Sequence, residues 1–302
     1  MSRIALVTGA SSGFGRMIAE DLAMAGLTVY ASMRGTTARN AKTVADFADM
    51  AKTNGIDLRT IELDVQDQPS IDAAIAAIIN EHGKLDVLVH NAGHMVYGPL
   101  EAFTAEQLAE LYDVNVLGTQ RVNRAALPHM RQARDGLLVW ISSSSVTGGI
   151  PPLLGPYFAA KAGMDQLAVS YARELAPLGI ETAIVVPGAF TGGTNHFAHS
   201  GVPEDKARAE AYIAAWPQGF ADRMLKALAA TNPPDADPSE IGRVVAAIVQ
   251  APKGKRPFRT VIDPASDGAV VSFAVVDRIR EQFLDRIGFA ELQHPAMTGD
   301  GR

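Results

Sequence analysis

Tyr157 and Lys161 stand four residues apart in the stretch GPYFAAKAG, Gly155 to Gly163. On a helix that spacing places the phenol and the ammonium on one face, a turn apart. An ammonium beside a phenol favours phenolate and draws a reference pKa of about 10 toward neutrality. A phenol tuned in this way suits a general acid for carbonyl reduction near pH 7. Four serines, Ser142 to Ser145, precede the pair, and a Gly-rich turn, TGASSGFG from Thr8 to Gly15, opens the chain. Each element is ambiguous alone. Lys161 also reads as a solvated helix charge, Tyr157 as a packing residue, and a serine run as a loop. All three in this order imply an oxidoreductase that uses a nicotinamide coenzyme.

Such groups need strand ends and helix starts to hold them, and the hydrophobic pattern supplies both. Short apolar runs at Ile4–Val7, Thr28–Ser32, Leu58–Leu63, Leu85–His90, Leu137–Ser142, Glu181–Val186 and Phe258–Ile262 read as strands. Between them, Gly13–Ala25, Ala38–Asn54, Ser70–His82, Thr104–Tyr112, Asn115–Arg131, Pro156–Ala176 and Glu240–Gln250 read as helices. Apolar strands alternating with helices predict an α/β fold with a parallel sheet covered on both faces. After Pro187 the rhythm breaks. Residues 189–238 are rich in Gly, Pro, His and aromatics and read as a substrate lid, and Phe273–Phe289 reads as a helix in a C-terminal extension. No linker marks a second core. The chain reads as one domain: a core over 1–188, the lid over 189–238, a last helix and strand over 239–265, and the extension over 266–302.

Composition removes several classes. The hydrophobic fraction of 47% is ample for a core, and the net charge of −6 disfavours nucleic-acid and anionic-membrane partners. The absence of cysteine excludes disulfides, thiolate metal sites and a Cys nucleophile. The seven histidines form no metal spacing, with His196 and His199 three apart in a Gly-rich loop, so no metal is expected. A G-x-S-x-G elbow is missing, which disfavours a serine hydrolase. The first apolar run begins almost at Met1 and leaves no room for a signal peptide. The longest apolar stretch, Gly268 to Val276, falls far below the roughly 18 residues of a membrane span. A cytoplasmic protein is expected.

The Gly turn lies between a strand and a helix, the context a dinucleotide site requires. Gly9, Gly13 and Gly15 would let backbone approach a pyrophosphate at the helix N-terminus, although an ordinary strand-to-helix turn has the same composition. Asn91, Ala92 and Gly93 close the fourth strand, where they either face a ligand or simply make a turn. Asp64 either accepts from an adenine amino group or caps a helix.

These residues together resemble the short-chain dehydrogenase/reductase family in its compact single-domain branch. The resemblance rests on TGASSGFG, Asp64-Val65, NAG, Asn115 in YDVNVLG, the serines of ISSSSVTG, YFAAK, and Pro187-Gly188. It implies a Rossmann-type, doubly wound sheet of about seven parallel strands, with hydride passing between nicotinamide and substrate. It also implies a catalytic tetrad, here Asn115, Ser145, Tyr157 and Lys161, with Ser144 as the other candidate serine. Asn115 would bend its helix and hold a water linked to Lys161. Coenzyme contacts fall on Gly9, Ser11, Ser12, Gly13, Phe14, Gly15, Asp64, Val65, Asn91, Ala92, Gly93, Tyr157, Lys161, Pro187 and Gly188. Gly192 stands where the family usually has Thr, so Thr191 or Thr194 takes the carboxamide contact.

The second strand ends Ala31-Ser32-Met33-Arg34. A carboxylate that would bond both ribose hydroxyls of NAD is missing there. Arg34, with Ser32 and Arg39, can instead pair with a 2′-phosphate, so NADP(H) is the expected coenzyme. A solvated loop arginine is the alternative. Met95, Leu153, Phe197, Trp216 and Phe220 make the predicted substrate pocket apolar. The expected activity is carbonyl (keto) reduction or alcohol oxidation on a small-molecule ketone or secondary alcohol. A hydroxysteroid or retinol-type dehydrogenase is the nearest alternative, and a catalytically silent NADP(H)-sensing protein the alternative of another class. The family pairs the helices Asn115–Arg131 and Pro156–Ala176 across a two-fold axis, which implies a homodimer or homotetramer.

Overall fold

In the computed structural model, which describes residues 2–190 and 200–297, seven parallel strands form one sheet. They are β1 (Ile4–Val7), β2 (Thr28–Met33), β3 (Leu58–Glu62), β4 (Val87–His90), β5 (Gly136–Ile141), β6 (Ile180–Pro187) and β7 (Arg259–Ile262). Their spatial order is β3-β2-β1-β4-β5-β6-β7. The order reverses between β1 and β4, and in open parallel sheets ligands bind in the crevice that this reversal opens at the strands' carboxyl ends.

Alternation along the strands builds a core on each face. Ile4 and Leu6 of β1 and Leu138 and Trp140 of β5 point to one side. There they meet helices α3 (Gln68–His82), α5 (Gly118–Ala133) and α6 (Gly155–Leu175). Ala5, Val7, Leu137, Val139 and Ile141 point to the other side. They meet α1 (Gly13–Met24), α2 (Ala41–Asn54) and α9 (Glu240–Gln250). Both faces of each central strand are therefore dry, which is why the strands read as unbroken apolar runs.

Three features of these elements matter for function. The helix expected over Asn115–Arg131 begins later. A π turn, Asp113–Leu117, joins α4 (Ala105–Tyr112) to α5 and contains Asn115. The segment expected as a lid carries two helices, α7 (Lys206–Ala214) and α8 (Phe220–Ala230), and neither has a buried residue. The C-terminal helix α10 spans Ala269–Ile287 and begins four residues before the expected Phe273. Its Phe273 is 1% exposed, so the extension is built into the core. Among the described residues no helix is long and apolar enough to cross a membrane, and no cluster of potential metal ligands occurs.

One core residue makes stability depend on pH. The His90 ring lies 4.3 Å from that of Trp140 and pairs with Asn123 Oδ1 at 2.8 Å. Burial pushes its pKa down from the ordinary 6.5 to about 4, with the Asn123 bond pulling the other way. The unfolded chain therefore takes up this proton more readily. The stabilisation is whole above about pH 6.5 and is lost as pH falls toward 4, by roughly 3 kcal/mol in all. His90→Gln retains a partner for Asn123 but does not titrate. Denaturant unfolding between pH 4 and 6.5 should show a shallower loss of stability in His90→Gln, and an unchanged slope would contradict this role.

Candidate active site

The glycine turn after β1 is tied down by two polar side chains. Thr8 Oγ1 donates to Val89 O at 3.0 Å and accepts from the backbone N–H groups of Asn91 and Ala92 at 3.0 and 3.1 Å. Asn91 Nδ2 donates to Thr8 O and Gly9 O at 2.9 and 3.0 Å. The Asn91 amide group is therefore committed to the loop's shape. Gly9 has φ of +66°, and a β-carbon on it would lie 2.7 Å from Ala92 Cα. A β-carbon on Gly15 would strike Gly9 O at 2.4 Å. The two backbones touch, so only glycine fits.

This turn forms one wall of a cleft of about 520 Å³. Ser11, Ser12, Gly13 and Phe14 line it at the start of α1, where helical N–H groups lack intrahelical partners. Asp64, Val65 and Gln66 line it after β3, and Asn91 to Met95 after β4. At one end stand Met33, Arg34, Arg39 and Asn40. Arg34 reaches across to Asp64, with Nη1 3.5 Å from Oδ2. Asn40 Nδ2 holds the Arg34 carbonyl at 2.6 Å. Glu62 fixes the loop after β2 by accepting from the backbone N–H groups of Gly35 and Thr36 at 2.6 and 2.7 Å. Asp64 also accepts from Gln66 N at 3.0 Å, so it makes a turn as well as lining the cleft.

Several expected positions fall elsewhere. Ser32 lies inside β2 with its side chain fully buried, because the strand runs on to Met33 and alternation turns Ser32 into the sheet. It does not line the cleft, so Arg34, Arg39 and Asn40 form that end without it. Gly15 acts through packing rather than as lining. Pro187 is buried at the end of β6, and Gly188 N donates to Ile262 O at 2.7 Å. Leu153 is 5% exposed with φ of +78° just before α6 and does not line this cleft. Trp216 and Phe220 stack on each other with ring centroids 4.7 Å apart, away from the cleft lining, because α7 and α8 stand clear of the core. Met95 does line it. Thr191, Thr194 and Phe197 lie outside the described residues.

At the end of β5 the chemistry-bearing groups converge. Tyr157 and Lys161 occupy successive turns of α6. Lys161 is 6% exposed, and its Nζ donates to Ile141 O at 2.9 Å. Burial lowers its pKa to about 8, against the pull of Asp165. The Tyr157 pKa is raised to about 12 by burial, with a hydrogen bond from Ser143 acting the other way. The expected drop of the phenol pKa under the influence of Lys161 is absent here: burial dominates, and the opposing pull comes from Ser143. Tyr157 is a phenol holding its proton, and Lys161 is an ammonium held close to its titration range.

The serines sort themselves by geometry. Ser142 Oγ donates to Asp165 Oδ2 at 2.6 Å. Ser143 carries the hydroxyl that draws the Tyr157 phenol pKa downward, and Ser145, the residue expected at the phenol, stands beside it. Ser145 lies one bond behind, with its Oγ 2.8 Å from Ser143 Oγ. A 3₁₀ turn, Ser144–Val146, capped by Ser143, sets this offset. Counting along a run of identical residues could not reveal it. Asn115 is 1% exposed, and its Nδ2 donates to Leu111 O and His94 O at 2.9 and 3.1 Å. Its Oδ1 is buried without a protein partner and lies 2.4 Å from where a Gly93 β-carbon would stand. The π turn carries Asn115 at this point, and the buried Oδ1 is a natural acceptor for a buried water.

Comparison with known proteins agrees with this architecture. Residues 3–201 match the short chain dehydrogenase family, and the chain belongs to it. It is 30% identical over 265 residues to a 3-ketodihydrosphingosine reductase of Bacteroides thetaiotaomicron, covering 87% of this chain and 88% of that protein. A short-chain dehydrogenase structure from Streptomyces avermitilis superposes with a TM-score of 0.70 at 31% identity, covering 95% of this chain and 97% of that one. Actinorhodin polyketide ketoreductase, solved with NADPH, superposes with a TM-score of 0.71 at 27% identity, covering 88% and 98%.

The close approach at Gly9 yields a direct test of the cleft. Gly9→Ala meets both a left-handed φ and the Ala92 backbone, and is expected to cost ~2 kcal/mol or more. Gly13→Ala shares the positive φ but meets open space, and should cost ~1 kcal/mol. Denaturant midpoints of the two variants should separate in that order. Equal costs would mean that the two strand ends are not in contact.

Proposed function

We propose that this short-chain dehydrogenase is an NADP(H)-dependent carbonyl reductase that interconverts a ketone and a secondary alcohol, with Tyr157 as the general acid and base. The observation that carries the reading is the placement of Tyr157 one helical turn from the buried Lys161, whose ammonium is held at the end of β5 beside the serine loop. The cleft suits a dinucleotide. Its glycine cradle would be filled by any β-carbon at Gly9 or Gly15, and cations stand at its far end. Ser11, Ser12, Gly13 and Phe14 would hold the pyrophosphate, Asp64 and Val65 the adenine, and Asn91 to Gly93 the nearer ribose. Pro187, Gly188 and the following threonines would flank the carboxamide. When bound, the reduced coenzyme supplies hydride to the carbonyl carbon.

The chain's residues handle the proton. Tyr157 gives its hydroxyl proton to the carbonyl oxygen as the carbon gains hydride, so the ketone becomes an alcohol. Ser143 donates to the same oxygen and stabilises the charge that develops on it. Ser145, behind Ser143, orients that hydroxyl. The Lys161 ammonium stabilises the phenolate that Tyr157 becomes, and the path through Asn115 returns a proton from solvent. In alcohol oxidation each transfer runs backward.

The 3-ketodihydrosphingosine reductase and the polyketide ketoreductase are both named for ketone reduction. They support a ketone with an apolar body as substrate. Residues 189–238 would cover it as a lid, and the helix faces of α5 and α6 would pair two copies across a two-fold axis.

Coenzyme choice tests the reading. A guanidinium beside a 2′-phosphate makes charge-assisted hydrogen bonds worth roughly 1.5–3 kcal/mol each. Turnover of a ketone panel, followed by absorbance of the reduced nicotinamide, should favour NADPH over NADH by at least about tenfold. Arg34→Ala should weaken NADPH binding and leave NADH nearly unchanged. Preference for NADH, or equal weakening of both, would overturn the coenzyme assignment, and the absence of turnover on any ketone would overturn the activity.

A further inference from the structure

Beneath the Tyr157–Lys161 pair lies a buried ionic network that the proposed chemistry leaves unexplained. Asp165 continues the same face of α6, one turn past Lys161 and two past Tyr157. It is 2% exposed. Its Oδ2 accepts from Ser142 Oγ at 2.6 Å, the first residue of the serine loop. The same carboxylate receives a paired contact from Arg259 on β7, Nη1 to Oδ2 at 2.6 Å and Nη2 to Oδ1 at 3.2 Å. Arg259 in turn binds Asp277 on α10, Nε to Oδ2 at 2.6 Å. Its guanidinium lies 4.1 Å from the centre of the Phe273 ring.

We propose that Asp165 is a positioning residue for catalysis, holding Lys161 charged and the serine loop in place, and that Arg259 and Asp277 fix it so that the C-terminal helix completes the active site. The proposal rests on the carbonyl-reductase reading and adds a requirement to it. A carboxylate that served only to bind Arg259 would have no need to touch Ser142 or to follow Lys161 by one turn. Taking a carboxylate this deep costs several kcal/mol unless it is paired. Arg259 and Ser142 together meet that cost and leave the carboxylate's field on Lys161.

The charged groups around Lys161 are few. Tyr157 and Asp165 come from its own helix, Arg259 from β7, and Asp277 and Arg280 from α10. Of the other elements packed on α6, β6 offers Glu181, paired with Arg256, and the π turn offers Asp113, paired with Arg121. Glu106 and Glu110 on α4 and Glu291 in the C-terminal 3₁₀ turn are exposed to solvent. Asp165 is the anion that bears directly on Lys161. Reduction needs the Lys161 ammonium, so activity falls as pH rises through about 8. Removing the anion lowers the lysine's pKa and moves that loss to lower pH.

The test is Asp165→Asn in the full chain, with two readouts. Steady-state reduction of a ketone by NADPH should show kcat at least tenfold lower, ketone KM within about threefold, and the alkaline limb moved to lower pH. Nuclear magnetic resonance of protein carrying ¹³C-labelled lysine, with Lys161 identified through Lys161→Arg, should show its titration midpoint lowered by at least half a pH unit. An unchanged midpoint with kcat within twofold overturns the proposal and leaves the reductase reading standing. If the unmodified protein reduces no ketone, the reductase reading fails, and the Lys161 midpoint alone decides: lowered supports the placement of Asp165, unchanged overturns it. Should Asp165→Asn fail to fold, Asp165→Asn with Arg259→Gln, which leaves Asp277 paired with Arg280, is read in the same way.

Discussion

An ammonium out of water governs the catalytic end of this molecule. Lys161 is buried at the carboxyl end of β5, and a buried cation requires partners. The Ile141 carbonyl gives it one hydrogen bond at the point where the strand stops pairing. Asp165 gives it a counter-charge from the next helical turn. Both partners depend on α6 lying along β5 and β6 with Gly155 at its start and its apolar face inward. The phenol of Tyr157 and the hydroxyl of Ser143 follow from that placement. Moving the helix by one residue would turn Tyr157 and Lys161 away from the end of β5.

At the other end of the cleft the governing constraint is backbone contact. The strand ends of β1 and β4 approach closely enough that Gly9 touches Ala92. Thr8 and Asn91 hold that contact with five hydrogen bonds between them. That contact fixes the cleft where a dinucleotide backbone would lie. Farther out, α7 and α8 bury no residue of their own. They are tied to the body through Gly201, which pairs with Met95 and Tyr97, through Gln107, which holds Val202 and Glu204, and through Arg208, which pairs with Glu101.

Much of this was legible in residue types and order. The alternation of apolar runs and helices led to the seven-stranded parallel sheet, because strands buried on both faces leave a plain hydrophobic signature. The Tyr157 and Lys161 spacing carried the helix face. What stayed hidden depends on atoms rather than patterns. Four adjacent serines look alike until a 3₁₀ turn sets the Ser143 and Ser145 hydroxyls side by side and leaves Ser142 on Asp165. Ser32 looked available because the end of β2 was read one residue short. Asn91 was open to a ligand contact or a turn role, and its amide holds the glycine loop while the residue also lines the cleft. The sign of the Tyr157 shift was misjudged because neighbour spacing is visible in a sequence and desolvation is not. Asp165 carried a readable signal, an acid one turn past the lysine, but its partners Arg259 and Asp277 are about a hundred residues away in sequence.

In the proposed reaction the Tyr157 hydroxyl delivers the proton. Tyr157→Phe removes one oxygen from a half-buried ring and leaves its packing against Phe158 in place. The most direct measurement is single-turnover oxidation of bound NADPH by a ketone, beside NADPH binding in the same preparation. Binding within about threefold of the parent and a chemical step at least about 10²-fold slower is the predicted result. A near-normal rate with coenzyme bound would contradict it.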